Sequence, residues 1–281
     1  MTPEQLAEAR ERLAVFAAEV FGSFRRVDQR RWGERYVRGL LTEGRRKSME
    51  PMAARLGVDR QGLQQFLADS PWSHPMVLAA LAWKMQPVIQ PLAWVVDDVS
   101  FPKDGHASPG VAAQYCGALG KTANCQVAPS VHLVTDAASC PVNWRLFLPA
   151  EWDPAAVPAE QRVSVAERRR RAHIPDEVGH VEKWRLALDM IDELRCWGLV
   201  PPLVVADQGY GQDGAFRLAL DERGIAYVVG CARTPRCCPG RRGAPPRPGR
   251  APAGPRCPAT GRRPPRCGRW SCRAGAARCT G

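Results

Sequence analysis

No acidic residue follows Glu222 in this 281-residue chain, and residues 231–281 contain no Leu, Ile, Val, Met, Phe, Tyr or Lys. A segment without aliphatic side chains cannot build a hydrophobic core. No run of eighteen apolar residues occurs anywhere, which excludes an ordinary membrane-spanning helix. The N-terminus carries Glu4, Glu8, Arg10 and Glu11 where a secretory signal needs an uninterrupted apolar stretch. The expected compartment is therefore cytoplasmic, with no membrane partner. No cysteine pair has the C-x2-C spacing of a zinc site, and His106, His132, His173 and His180 show no mutual ligand spacing. Cys116, Cys125, Cys140 and Cys196 then read as reduced, partly buried thiols.

What is present is 45% hydrophobic and 24% charged, with 40 Lys+Arg against 28 Asp+Glu and a net charge of +12. The charge is very unevenly distributed. Thirteen Arg fall in residues 231–281 with no acid, so the preceding 230 residues carry 27 basic against 28 acidic groups. The same segment holds seven of the 11 cysteines and ten of the 26 prolines. A basic arm for nucleic acid would have this character. A metal module lacks the spacing, and a secreted disulfide scaffold conflicts with the missing signal peptide. An out-of-frame translation is the remaining alternative. Arg, Pro, Gly and Ala supply 39 of the 51 residues, all with codon families that begin with two G or C bases, and the change is abrupt after Gly230. The composition favours this last reading, in which 231–281 is a disordered, out-of-frame tail.

Residues 1–90 read as a helical domain. Leu6, Leu13, Phe16, Ala17 and Val20 recur at helical spacing behind Thr2-Pro3-Glu4. Residues 25–47 hold nine Lys/Arg and three acids, interleaved with Trp32 and Tyr36. Segments 49–56 and 60–67 flank a Gly57-Val58 break, the outline of a helix-turn-helix. Arg25, Arg26, Arg30, Arg31, Arg45, Arg46 and Lys47 are the expected DNA contacts, against the plainer alternative of solvated helix faces. Pro71, Pro75, Pro87 and Pro91 punctuate the chain and suggest a boundary near residue 90.

Residues 91–230 change to an α/β pattern. Strands are expected over 92–99, 124–135, 140–148, 202–207 and 225–230, with helices over 181–197 and 214–223. Residues 149–177 read as an exposed excursion, and the arginines of 168–171 as a solvated run. Gly117 to Thr122 falls short of a phosphate-binding loop, because the required first glycine is Tyr115 and a strand follows. Trp94 and Tyr210 read as packing residues.

Two apolar strands end in carboxylates: Val95-Val96-Asp97-Asp98 and Val204-Val205-Ala206-Asp207. In α/β sheets ligands gather at strand carboxyl ends. Two such carboxylates side by side would suit a hard cation such as Mg²⁺. A metal pair about 3.5–4 Å apart would stabilise both the attacking and the leaving oxygen of a phosphodiester. Only one of Asp97 and Asp98 can face such a site, since neighbours along a strand point to opposite faces.

Val95-Val96-Asp97-Asp98-Val99-Ser100-Phe101-Pro102-Lys103, Gln114-Tyr115-Cys116-Gly117, the segment 120–127 and Ala206-Asp207-Gln208-Gly209-Tyr210-Gly211 resemble the DDE transposases of bacterial insertion sequences. The resemblance implies an RNase H-like catalytic domain, a mixed sheet with flanking helices, behind the helical N-terminal domain. It implies Mg²⁺ or Mn²⁺ as cofactor, with Asp97 the first metal-holding catalytic carboxylate, Asp207 the second and Asp98 the next-ranked position. It implies double-stranded DNA as partner, at element ends and target, with a homodimer as a further assembly. Lys103 and Lys121 are additional expected phosphate contacts. A third carboxylate, a Glu on a helix after the last core strand, has no counterpart, and Glu222 precedes that strand. The expectation is therefore a transposase truncated by a frameshift after about Gly230, with impaired strand cleavage and transfer. The alternative is a non-catalytic DNA-binding remnant that competes or dimerises with an intact transposase.

Overall fold

Thr2 caps the first helix with its side chain while Gln5 reaches back to the Thr2 backbone, a reciprocal arrangement that satisfies two free N–H groups. This helix, α1 (Pro3–Val20), is followed by α2 (Val27–Leu41), α3 (Met49–Leu56) and α4 (Arg60–Ala68). The computed structural model describes residues 2–231. The expected disorder of the 231–281 tail falls almost wholly outside them.

The four helices close around aromatic side chains. Phe21, Phe24 and Phe66 are buried, and Trp32, Tyr36 and Trp72 pack against them, with Phe66 and Trp72 stacked at 5.9 Å. Two glycines permit the close approach. A Cβ at Gly33 would meet the Phe21 ring at 2.6 Å, and one at Gly62 would meet the Trp32 ring at 2.2 Å. The tight turn expected between 56 and 60 is present. Gly57 takes the left-handed conformation (φ 62°) that ends α3, and Asp59 caps α4 by accepting from Gly62 N at 2.8 Å.

Helix α5 (His74–Ile89) departs from the sequence expectation, which took Pro75 and Pro87 as punctuation. Both are accommodated inside it. Pro75 sits in the first turn, where no intrahelical N–H is needed, whereas Pro87, inside the helix near its end, forgoes the one ladder bond its N–H would have made to the Trp83 carbonyl. The helix serves two cores: Val77 packs on the aromatic cluster, while Ala82, Met85 and Ile89 enter the core of the sheet.

The sheet contains β1 (Ala93–Pro102), β2 (Ala112–Cys116), β3 (Lys121–Val134), β4 (Ser139–Trp144), β5 (Val204–Ala206) and β6 (Tyr227–Val229). It is mixed, as expected. β3 pairs antiparallel with β1 along one edge and with β2 and β4 along the other, while β5 and β6 continue the sheet in parallel on the far side of β1. The strand that the sequence pattern does not predict is β2. Gly117 to Lys121 is the turn between β2 and β3, so the phosphate-loop alternative has no following helix. The chain after β4 keeps pairing irregularly, with Arg145 and Phe147 donating to the Pro129 and Val127 carbonyls.

Trp94, Val96, Val131, Leu133, Val142, Val204 and Ala206 form one buried face of the sheet. Helices α5, α7 (Lys183–Cys196) and α9 (Gly214–Glu222) all pack on it, through Ala82, through Ala187, Met190, Ile191 and Leu194, and through Phe216 and Leu220. The spacing of Trp184, Leu188, Ile191 and Leu194 predicts one helical face: the last three are buried, and Trp184 packs against the same core partly buried. On the opposite face Val95 and Val205 are half-buried, and Val99, Phe101, Trp144 and Val228 are exposed.

The excursion between β4 and α7 corrects a second expectation. It contains α6 (Arg162–Arg171), and its arginines are not uniformly solvated. Arg169 is only 4% exposed and donates to the carbonyls of Trp152, Pro175 and Val178 at 3.0, 2.8 and 2.5 Å. Arg168 lies 3.6 Å above the Trp152 ring. The guanidinium thus replaces a polar network that this loop-rich segment has no secondary structure to supply.

Candidate active site

Strand alternation sends Trp94 and Val96 into the core, so Asp97 and Asp98 emerge on opposite faces of β1. In the parallel ladder the last pairs are Val95 with Val205 and Val96 with Ala206. The next residues on the two strands are Asp97 and Asp207. Adjacent strands run about 5 Å apart, so the two exposed aspartates leave neighbouring strands, Asp97 within β1 on the face opposite the helices and Asp207 as the first residue beyond β5.

Asp97 is held by its strand neighbours. Its Oδ1 accepts from the Asp98 N–H at 2.8 Å, and its carbonyl accepts from Ser130 Oγ at 3.0 Å. Asp97, Ser130 and Trp144 stand in one row across three strands. Ser130 also meets His132 Nε2 at 3.0 Å, and His132 Nδ1 meets Ser139 Oγ at 3.2 Å. Partial burial pushes the His132 imidazole down in pKa, while the Asp97 charge pulls it up.

Asp207 caps α8 (Gln208–Gly211), accepting from Tyr210 N at 3.3 Å. The turn is tight. A Cβ at Gly211 would stand 2.1 Å from the Gly230 carbonyl, and one at Gly230 would stand 2.7 Å from Gln208 N, so the exit of β6 and the start of α8 touch backbone to backbone.

Asp98 is held differently. Its Oδ1 accepts from the Tyr210 hydroxyl at 2.5 Å, and its Oδ2 is paired with Lys183 Nζ at the start of α7. Burial drives the Tyr210 phenol well above its ordinary pKa, and the charges of Asp98, Asp207 and Asp97 push in the same direction. The phenol is therefore a fixed donor. Tyr210 is buried against Phe216, as a packing residue should be, yet its hydroxyl also binds Asp98 while its backbone N–H binds Asp207. Lys183 and this second role of Tyr210 escaped the sequence reading; the position of Tyr210 three residues after Asp207 was the available signal.

Among the described residues no three His, Cys, Asp or Glu side chains come together as a metal cluster. Asp97 and Asp207 still fit a hard cation in kind, because Mg²⁺ takes oxygen ligands and is commonly held by one or two carboxylates with water and substrate phosphate completing the shell.

The expected DNA contacts divide into two groups. Arg25, Arg26, Arg30, Arg31, Arg45, Arg46 and Lys47 are exposed on α2 and its flanking loops, with Arg26 paired to Asp28 at 2.7 Å. Lys103 and Lys121 lie apart from them, at the end of β1 and the start of β3.

A family model described as DDE superfamily endonuclease matches residues 19–279. A probable transposase for insertion sequence element IS701 from Microchaete diplosiphon is 28% identical over 195 residues, covering 68% of this chain and 46% of that protein. The chain thus spans about half the length of this relative. The family match runs through the arginine- and proline-rich segment as well as the described residues, and with it covering most of the sequence the chain belongs to the DDE superfamily of endonucleases.

Proposed function

We propose that this fold performs transposase-type DNA strand cleavage and strand transfer at insertion-sequence ends, with Asp97 and Asp207 as the metal-holding catalytic carboxylates. The observation that carries the reading is their placement one step beyond the paired Val96 and Ala206 on adjacent parallel strands. Mg²⁺ or Mn²⁺ bound there would supply Lewis-acid polarisation of the phosphodiester and lower the cost of deprotonating the attacking oxygen. The chain's own residues orient that site. Asp98, bound by Lys183 and Tyr210, ties β1 to α7 and to the loop that carries Asp207. Ser130 fixes the backbone of Asp97. In cleavage, water adds to the phosphorus and the 3′-oxygen leaves; in transfer, that 3′-hydroxyl attacks a target phosphodiester and displaces its 3′-oxygen. The exposed basic groups of α2 and its flanking loops hold the double-stranded DNA.

Residues 223–281 hold no Asp or Glu and Glu222 ends α9 before β6, so the third carboxylate implied by the resemblance has no counterpart among these residues, and Asp97 and Asp207 alone would cleave slowly. The same observation supports the second reading, a DNA-binding remnant that competes with an intact transposase or dimerises with it. Nicking of supercoiled plasmid tests both. The first reading expects slow, Mg²⁺-dependent nicking that Asp97→Asn abolishes. Complete absence of nicking with retained DNA binding establishes the remnant, and nicking that survives Asp97→Asn rejects the site.

A further inference from the structure

Helix α4 presents a row of glutamines that nothing in the fold uses. Gly62, Leu63 and Phe66 face inward, with Gly62 seated on the Trp32 ring, and this fixes Gln61, Gln64 and Gln65 on the outer face. Positions 61, 64 and 65 are three and four apart, so they form one stripe. All three are exposed, and no hydrogen bond among the described residues engages their side-chain amides. Arg60 opens the same helix and is also exposed.

We propose that α4 is the base-reading helix of this protein, entering the major groove of double-stranded DNA with Gln61, Gln64 and Gln65 at base edges, adenine above all. This rests on DNA as the partner and adds the residues that would choose its sequence. A glutamine amide offers a donor and an acceptor side by side, matching adenine N7 and N6 in the major groove. The helix has the right setting. α3, the Gly57 turn and α4 form a helix pair stacked on α2, and in such a pair the second helix lies in the groove with its N-terminal residues at the bases. At nine residues α4 is about 13.5 Å long, comparable with the groove's width of about 12 Å.

Phosphate contacts flank it on the expected side. Arg31, Arg35 and Arg38 share one face of α2 and line a groove with Gly57 and Val58, directly beside the start of α4. Arg35 stacks 4.8 Å over the Trp32 ring, the same ring that supports Gly62. Acids border the surface without occupying the stripe: Glu34 pairs with Arg38 at 3.9 Å, Asp59 is committed to its cap, and Asp69 follows the helix end. One gripping arginine, Arg35, and the helix that carries the reading glutamines are therefore seated on the same tryptophan.

The test is selection from a pool of duplex DNA with a randomised core of about 20 base pairs, performed with the full chain in EDTA. Wild type enriches a motif containing adenines. Gln61→Ala, Gln64→Ala and Gln65→Ala each relax preference at one position by about ten-fold while leaving affinity for random duplex and thermal unfolding unchanged. Arg31→Ala and Arg35→Ala instead weaken binding to all sequences and reduce the salt slope by about one each. Absence of any enriched motif, or glutamine variants that keep the wild-type preference at every position, overturns the proposal. Asp97→Asn selects the same motif, so failure of the catalytic reading leaves this result standing, and failure here leaves nicking untouched.

Discussion

The Tyr210 hydroxyl and the Asp98 carboxylate meet at 2.5 Å across 112 residues of sequence. That bond joins the loop bearing Asp207 to the strand bearing Asp97, and Lys183 closes the arrangement from α7. Tyr210→Phe keeps the buried ring and removes the donor, leaving one carboxylate oxygen without its partner. The expected loss is about 1–3 kcal/mol, read as a lower urea midpoint with an unchanged slope. The phenol's folded pKa is raised, so the stability it contributes is complete below about pH 10 and declines as pH rises above that value. The Phe variant should lack this alkaline decline.

Arg169 should be irreplaceable by lysine. Its two terminal nitrogens serve three carbonyls in fixed directions, which a single ammonium cannot reproduce. Both Arg169→Lys and Arg169→Ala should cost about 2–4 kcal/mol, measured by thermal unfolding. Arg170→Ala, on an exposed position of the same helix, should change stability by less than about 0.5 kcal/mol.

Gly211→Ala should move the candidate site. The new methyl would press on the Gly230 carbonyl and on Val229, neither of which is a flexible side-chain end. A destabilisation of about 1–3 kcal/mol is expected from overpacking, together with weaker divalent-metal binding because α8 and its cap Asp207 must shift. Gly105→Ala, where a Cβ meets nothing within 4 Å, is the control.

Asp153 gives a sign test in acid. It accepts from the His180 and Ala155 N–H groups at 2.7 and 2.8 Å, which holds its carboxyl below the usual range. A depressed folded pKa means stability that is present above about pH 3.9 and is lost as pH falls through the folded value. Asp153→Asn, which cannot ionise, should flatten that part of the acid-unfolding curve.

Legibility in the sequence followed the range of the interactions. β1 and β5 were readable because each is a continuous apolar run closed by aspartate, and α7 because Leu188, Ile191 and Leu194 repeat at helical spacing. β2 was hidden by the glycines on both sides of it, since its five residues gain their strand character from pairing with β3. α5 was obscured by Pro75 and Pro87, whose tolerated positions are apparent only once the helix ends are known. The buried Arg169 sits in a run of four arginines, and nothing local separates it from its exposed neighbours. Tyr210, Lys183 and Asp98 come together from three distant segments, so their contact is a property of the folded sheet.

Asp97 and Asp207 are the carboxylates proposed to hold a divalent cation, and Mn²⁺ binding to the full chain, followed by electron paramagnetic resonance, tests this without requiring turnover. Binding by the wild type that weakens at least about ten-fold in both Asp97→Asn and Asp207→Asn is the predicted result. Two variants that bind Mn²⁺ as tightly as the wild type would contradict it.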